Sequence, residues 1–268
     1  MPPRTTFSAI FGGAFQVFVQ NLAPLFLIYM ILGAAQAVIG LLLLGWIESA
    51  LGPILTDPTQ IDLATLVNAV GVAIVGLVII LAANLVLGSV VAGGVTHFAV
   101  LRHRGLAPDV GSSMRQGLRR LPSVLGATLL QYGIAFSVAI VGFAALFLGL
   151  ASLNVAAIGL GIVLLVVGVI LAVILLVFLS LVVPVVMLEG RSAVESLTRS
   201  WQLTRGHRGR IFLVLFVFGL IAGAIGLGAE TVVTRVNHVA VTFAIDTIVV
   251  AITGSWVVLA VAVAYDLI

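Results

Sequence analysis

Ala156 to Leu179 reads AAIGLGIVLLVVGVILAVILLVFL, with no charge, no proline and no polar side chain along it. A helix needs about 20 apolar residues to cross the roughly 30 Å hydrocarbon core of a bilayer, and this run exceeds that. Five further segments of the same kind surround it: Pro24 to Leu44, Leu66 to Gly88, Ser123 to Leu148, Ile211 to Ala229 and Phe243 to Ala264. A soluble domain could not bury six such runs. None shows the period-2 alternation of a membrane barrel strand, and each far outruns the ~10 residues such a strand uses. The expected fold is therefore all-α, a polytopic bundle of six transmembrane helices with amphipathic interfacial helices, forming a single integral membrane domain over residues 1–268.

Composition agrees, with 62% hydrophobic and 8% charged residues. Zero cysteine excludes a disulfide framework, thiolate metal ligation and cysteine nucleophiles. At the N-terminus, Arg4, an apolar run and Ala35, Gln36, Ala37 have the outline of a cleavable signal. The run continues through Leu41 to Leu44, longer than a signal's apolar region, and so points to a retained helix.

All twelve basic residues other than histidine are arginine. If the six spans alternate, Arg4, then Arg102, Arg104, Arg115, Arg119 and Arg120, then Arg191, Arg199, Arg205, Arg208 and Arg210 share one side, and Arg235 alone falls on the other. The positive-inside rule then expects a multi-pass protein of the plasma (inner) membrane with both termini cytoplasmic. The opposite face carries Glu48, Asp57, Asp62 and Glu230.

Three segments read as an amphipathic helix ahead of a membrane hairpin. Phe7, Ile10, Phe11, Ala14 and Phe18 fall at helical spacing, as do Met114, Leu118 and Leu121. In the third, Ser192 and Glu195 form a Ser-x-x-Glu capping box ahead of Val194, Leu197 and Trp201 on one face, and Gly206 supplies a stop. Pro24 and Pro122 suit the first turns of the spans that follow. This pattern suggests a threefold helix-hairpin repeat with units of approximately 5–103, 109–188 and 191–268. The second helix of each hairpin is overlong: Leu63 to Arg102 would extend about 60 Å, twice the hydrocarbon thickness. It must bend, break or project, and Gly93, Gly94 and Pro184 are the expected bend sites.

Chemistry-bearing residues are few. Gly219, Gly223 and Gly226 make a GxxxG-type stripe that suits close helix packing, within the bundle or across a dimer. Asp246 is an acid inside a span and a candidate intramembrane polar site, with Arg235 or His238 as nearest partner; it could equally be interfacial. Asn68, Asn84 and Gln131 are intramembrane amides, which bond across helices or line a solute path. Glu48, Asp57 and Asp62 fit no calcium-loop spacing, and the four histidines offer no paired metal spacing. HExxH, GxSxG, a Walker loop and GxGxxG are absent from the sequence. Catalytic residues, cofactor and metal are accordingly expected to be none. Arg199, Arg205, Arg208 and Arg210, with His103 and His207, are expected to contact anionic lipid headgroups.

Pro184, Val185, Val186, Met187, Leu188, Glu189, Gly190, followed by Ala193, Ser196, Leu197, Ser200, Trp201, Leu203, Thr204, Arg205, Gly206, resembles the six-helix membrane domain that accompanies bacterial glycerophosphodiester phosphodiesterases. The closing Ala264, Tyr265, Asp266, Leu267 is similar to that family's Tyr-Asp-Leu-Arg ending, with Ile268 in place of the arginine. The resemblance implies a membrane module of largely unknown role, since hydrolysis in the family belongs to an appended TIM barrel. No segment of this chain could form that barrel. The sequence thus points to a non-enzymatic integral membrane protein, an accessory or scaffold module contacting membrane lipids or a membrane protein partner, and not nucleic acid. A transporter of a small solute or lipid is the rival, motivated by the repeat and the broken second helices. Against it, no charged residue lies at a span's midplane.

Overall fold

Leu42, Phe147 and Leu227, residues that a water-soluble protein would bury, are 72%, 71% and 73% exposed, whereas Thr96, Ser196, Ser200 and Ser255 are buried. Hydrocarbon around the chain explains the inversion. Lipid solvates large apolar side chains, and small or hydroxyl-bearing residues let helix backbones approach and bond. The computed structural model describes residues 6–56, 63–236 and 239–268, among which there is no strand. Its elements are α1 (Phe7–Gln20), α2 (Leu22–Thr56), α3 (Leu63–His103), α4 (Val110–Arg119), α5 (Leu121–Ala151), α6 (Val155–Phe178), α7 (Val182–Pro184) running into a π turn at Val185–Glu189, α8 (Ala193–Thr204), α9 (Arg208–Val236) and α10 (Val239–Leu267). Six helical segments are long and apolar enough to cross a membrane, each containing most of one expected span. The chain is a multi-pass membrane protein.

The order is a short helix followed by two long ones, three times over. The second long helices, α3, α7 with its π turn, and α10, pack on one another at the end where the hairpins are joined. Val95, Ala99, Val100, Val182, Val185, Leu259, Ala260, Ala262 and Val263 are fully buried there. The short helices ring this hub. α1 packs on α10, α4 on α3, and α8 on the α6–α7 junction and α5. Each short helix therefore lies against the second span of the preceding unit, and the first closes onto the last.

The α1 face is the one its spacing predicts, with Ile10, Ala14, Val17 and Phe18 buried. Phe11 stacks on Phe218 at 4.7 Å and Phe18 meets Trp256 edge-on at 5.6 Å. In α4 and α8 the inward faces are small and polar instead. Ser113 and Gly117 are buried in α4 and Ser196, Ser200 and Thr204 in α8, while Leu118, Val194 and Trp201 point outward. A helix lying at a lipid surface turns its apolar stripe to lipid and keeps its hydroxyls for the protein.

Away from the hub the hairpins separate. α5 and α6 form the tightest pair, through a seam of glycines. A Cβ at Gly142 would collide with the backbone of Leu165 and one at Gly161 with that of Leu146; at Gly168 it would come within 2.8 Å of the Ala139 Cα. The outer parts of α3 and α6 are largely lipid-facing.

Two of the expected bend sites behave differently. α3 is unbroken over 41 residues, so at about 1.5 Å each it projects well past the hydrocarbon layer. Gly93 and Gly94 do not break it; they make room for α4, whose Gly117 would place a Cβ 2.7 Å from the Gly94 nitrogen. The fourth span does break, at Ser180 and Leu181, one turn ahead of Pro184. Proline has no N–H and its ring clashes with the carbonyl four residues back, which is that of Ser180. The π turn then ends at Gly190, whose φ of 69° falls in the left-handed region open to glycine.

Among the described residues, a Cβ at Gly219, Gly223 or Gly226 meets nothing within 4 Å. The stripe therefore makes no close crossing inside the bundle, contrary to its expected role in intramolecular packing. The α5–α6 seam takes that role because there a glycine lies directly against the backbone of the facing helix. Gly161→Leu should accordingly destabilise the protein in detergent by about 1–3 kcal/mol or more, the usual range for overpacking. Gly223→Leu should leave the monomer's thermal midpoint unchanged; equal losses would mean that the α9 face is packed after all.

Candidate functional site

Asp266, in the last turn of α10, joins two elements at the hub end. Its Oδ2 lies 2.6 Å from His103 Nδ1 and its Oδ1 accepts from Arg104 Nε at 2.6 Å. One residue earlier, the Tyr265 hydroxyl donates to Glu189 Oε1 at 3.3 Å. Glu189 ends the π turn and also receives Arg191 Nε at 2.7 Å and Arg199 Nε at 3.2 Å. The two carboxylates are largely buried, with side chains 10% and 20% exposed. Ions so placed need close partners, because removal from water costs more than a loose pair returns. The three second spans are thus tied together at their ends, α10 to α3 through Asp266 and α10 to the π turn through Glu189. His103 serves in this tie and not at the lipid surface.

The break in the fourth span is sealed by α8. Val182 N bonds to Leu179 O at 3.2 Å, which releases the carbonyl of Phe178. Ser200 Oγ and Thr204 Oγ1 both donate to that carbonyl at 3.1 Å, and Ser200 Oγ accepts from the released Leu181 N–H at 3.1 Å. The start of α8 is fixed by its capping box: the Ser192 side chain accepts from the Glu195 nitrogen, and Glu195 accepts from the Ser192 nitrogen. Those bonds to Ser192 hold the Glu195 carboxyl below the ordinary glutamate range.

The four arginines expected at lipid headgroups divide. Arg199 is spent on Glu189. Arg208 lies 3.6 Å over the Phe178 ring and 4.6 Å from the Trp201 ring, a cation–π contact that fastens the start of α9 to the break. Arg205 and Arg210 are exposed. Arg115 and Arg119 on α4 are exposed as well, and none of Arg115, Arg119 and Arg205 forms an ion pair with a described residue.

Asp246 is exposed on the third turn of α10 and neither Arg235 nor any other described residue pairs with it. His238, Asp57, Asp62 and Arg4 lie outside the described residues. Glu48 is exposed, and no group of three potential metal ligands occurs among the described residues. Asn84 bonds across helices, accepting from Gln36 Nε2 at 2.6 Å and donating to Ile80 O at 2.9 Å. Gln131 lines a cavity of about 710 Å³ between the hairpins, to which Asn84 also contributes. Asn68 is exposed. Sequence reasoning missed the hub tie, because its partners stand 162 and 76 residues apart along the chain. The available signal was that lone carboxylates close two spans on the side where arginines and histidine close a third.

If the tie holds the spans together, Asp266→Ala should lower stability in detergent by about 1–3 kcal/mol, the cost of stripping partly buried hydrogen-bonded groups of their partner. Glu48→Ala, at an exposed carboxylate, should change little. The check is the thermal midpoint of each variant against the parent.

A family model described as a domain of unknown function (DUF7847) matches residues 22–266. No curated protein and no solved structure matches the chain.

Proposed function

The chain belongs to the DUF7847 family, and we propose that it is a non-enzymatic membrane module whose ring of short helices rests on anionic lipid at the cytoplasmic surface, scaffolding lipid or a membrane protein partner. The observation that carries this reading is the division of labour among the arginines. Arg104, Arg191 and Arg199 neutralise the hub's carboxylates. Arg115, Arg119 and Arg205 remain exposed on or beside short helices, α4 and α8, whose outward faces also carry Leu118, Val194 and Trp201. An outward apolar stripe flanked by unpaired arginines suits the boundary between acyl chains and negative headgroups. Each arginine near such a surface contributes about 1 kcal/mol, screened over ~8 Å at physiological salt. The arginine bias between the two sides supports the cytoplasmic assignment.

Transport is the second reading, and the cavity between the hairpins favours it. No charged side chain lines that cavity, so an ion-coupled mechanism would lack its usual coupling group.

Replacing Arg115, Arg119 and Arg205 with Gln should lower the anionic lipid that co-purifies with the protein, with the larger fall at low ionic strength, while the thermal midpoint stays put. Unchanged lipid content at both salts would defeat the lipid-scaffold reading. The orientation is tested separately in this cysteine-free chain: Arg205→Cys should be silent to an impermeant thiol reagent applied to intact cells and reactive once they are opened.

A further inference from the structure

The cavity sits at the root of the hairpins, bounded by α3, α5, the α6–α7 break, α9 and α10. Its volume of about 710 Å³ is in the range of small-molecule sites. Most of its wall is apolar, but the lining includes Asn84, Ser89 and Thr96 from α3, Thr128, Gln131 and Tyr132 from α5, and Ser180 from the break.

Two of these hydroxyls are buried without a partner. The Oγ atoms of Ser89 and Ser180 are buried and make no hydrogen bond. Three other hydroxyls of the long helices are satisfied by their own backbone: Ser137 donates to Ile134 O at 2.8 Å, Thr253 to Val249 O at 2.7 Å and Ser255 to Ile252 O at 2.9 Å. The same local bond is the ordinary refuge of a serine in a membrane helix, where an unmet polar group costs several kcal/mol. Ser89 and Ser180 forgo it, and the two residues line one shared space from different elements.

The lining restricts what could fill that space. With no charged side chain in the wall, a carboxylate or phosphate would be buried without a counter-ion. A purely apolar chain would leave the hydroxyls unmet. Access is lateral: α5 and α9 do not pack on each other, and the lining residues Tyr132, Phe212 and Phe216 are also 45%, 42% and 50% exposed on the lipid-facing surface. Thr128 and Gln131 lie about 10–15 Å along α5 from its start, deeper than a charged headgroup would go.

We propose that this cavity is a binding site for a neutral single-chain lipid with a hydroxyl- or carbonyl-bearing head, entered from the bilayer between α5 and α9, the head bonding Ser89, Ser180 and Gln131 and the chain lying against the apolar wall. The site is independent of the arginine ring.

The probe is 1-oleoylglycerol, doped into phosphatidylcholine nanodiscs from which the protein is released for native mass spectrometry. One retained molecule per chain is expected, with oleate, the charged analogue of the same chain, failing to give or displace the adduct at pH 9. The Ser89→Ala, Ser180→Ala double variant should lower occupancy about tenfold, the worth of one to two hydrogen bonds, and Ala92→Leu, which fills the cavity from α3, should abolish it. Parent and variants are compared at equal thermal midpoints, and the oleate arm needs no variant. Absence of an adduct with the parent, equal retention of oleate, or occupancy indifferent to both substitutions would each overturn the proposal, the last by placing the lipid on the outer surface or leaving the cavity to water.

Discussion

Where the sixth helix breaks, the carbonyl of Phe178 and the N–H of Leu181 lose their helical partners in surroundings that offer no water. An unpaired backbone group in hydrocarbon costs several kcal/mol, so the break is tolerable only if something brings donors and an acceptor to it. The hydroxyls of Ser200 and Thr204 do so. That requirement fixes the position of α8, whose placement in turn sets Arg199 against Glu189 and aligns Trp201 with Phe178 and Arg208. The ion pairs and aromatic contacts at this end follow from a repair that Pro184, one turn beyond the break, made necessary.

Packing follows a second rule of the same medium. Apolar burial gains little between helices already immersed in hydrocarbon, so close approach must come from small residues. The α5–α6 seam and the contact of Gly117 with Gly94 meet this condition because glycine or alanine stands on a facing surface at each crossing. The Gly219, Gly223 and Gly226 stripe has the spacing but no facing partner among the described residues. Spacing alone identifies a surface able to approach another, and whether one is present depends on how the other helices are arranged.

That distinction explains what the sequence could disclose. The six spans, the short helices ahead of each hairpin, the capping box at Ser192 and the break near Pro184 were all legible, because each rests on residues close along the chain. What was missed depends on long-range placement: the partners of Asp266 and Tyr265, the use of Arg199 and Arg208 inside the protein, and the cavity on which Gln131 opens. The inward face of α8 was a different failure. Ser196, Ser200 and Thr204 recur every four residues, a visible stripe, but a preference for apolar faces as buried faces directs attention to Val194 and Trp201 on the opposite side.

The ring of short helices has a consequence for how such a chain comes into being. α1 rests on α10, and the sequence between them encodes every other element of the bundle. During synthesis α1 emerges first, yet the surface that covers Ile10, Ala14 and Phe18 does not exist until the last span is made. Its apolar face can meanwhile be sheltered only by the bilayer surface, so the membrane itself acts as the holding site for an unfinished fold. Closure of the ring, in which helices made far apart in time meet, then waits on α10.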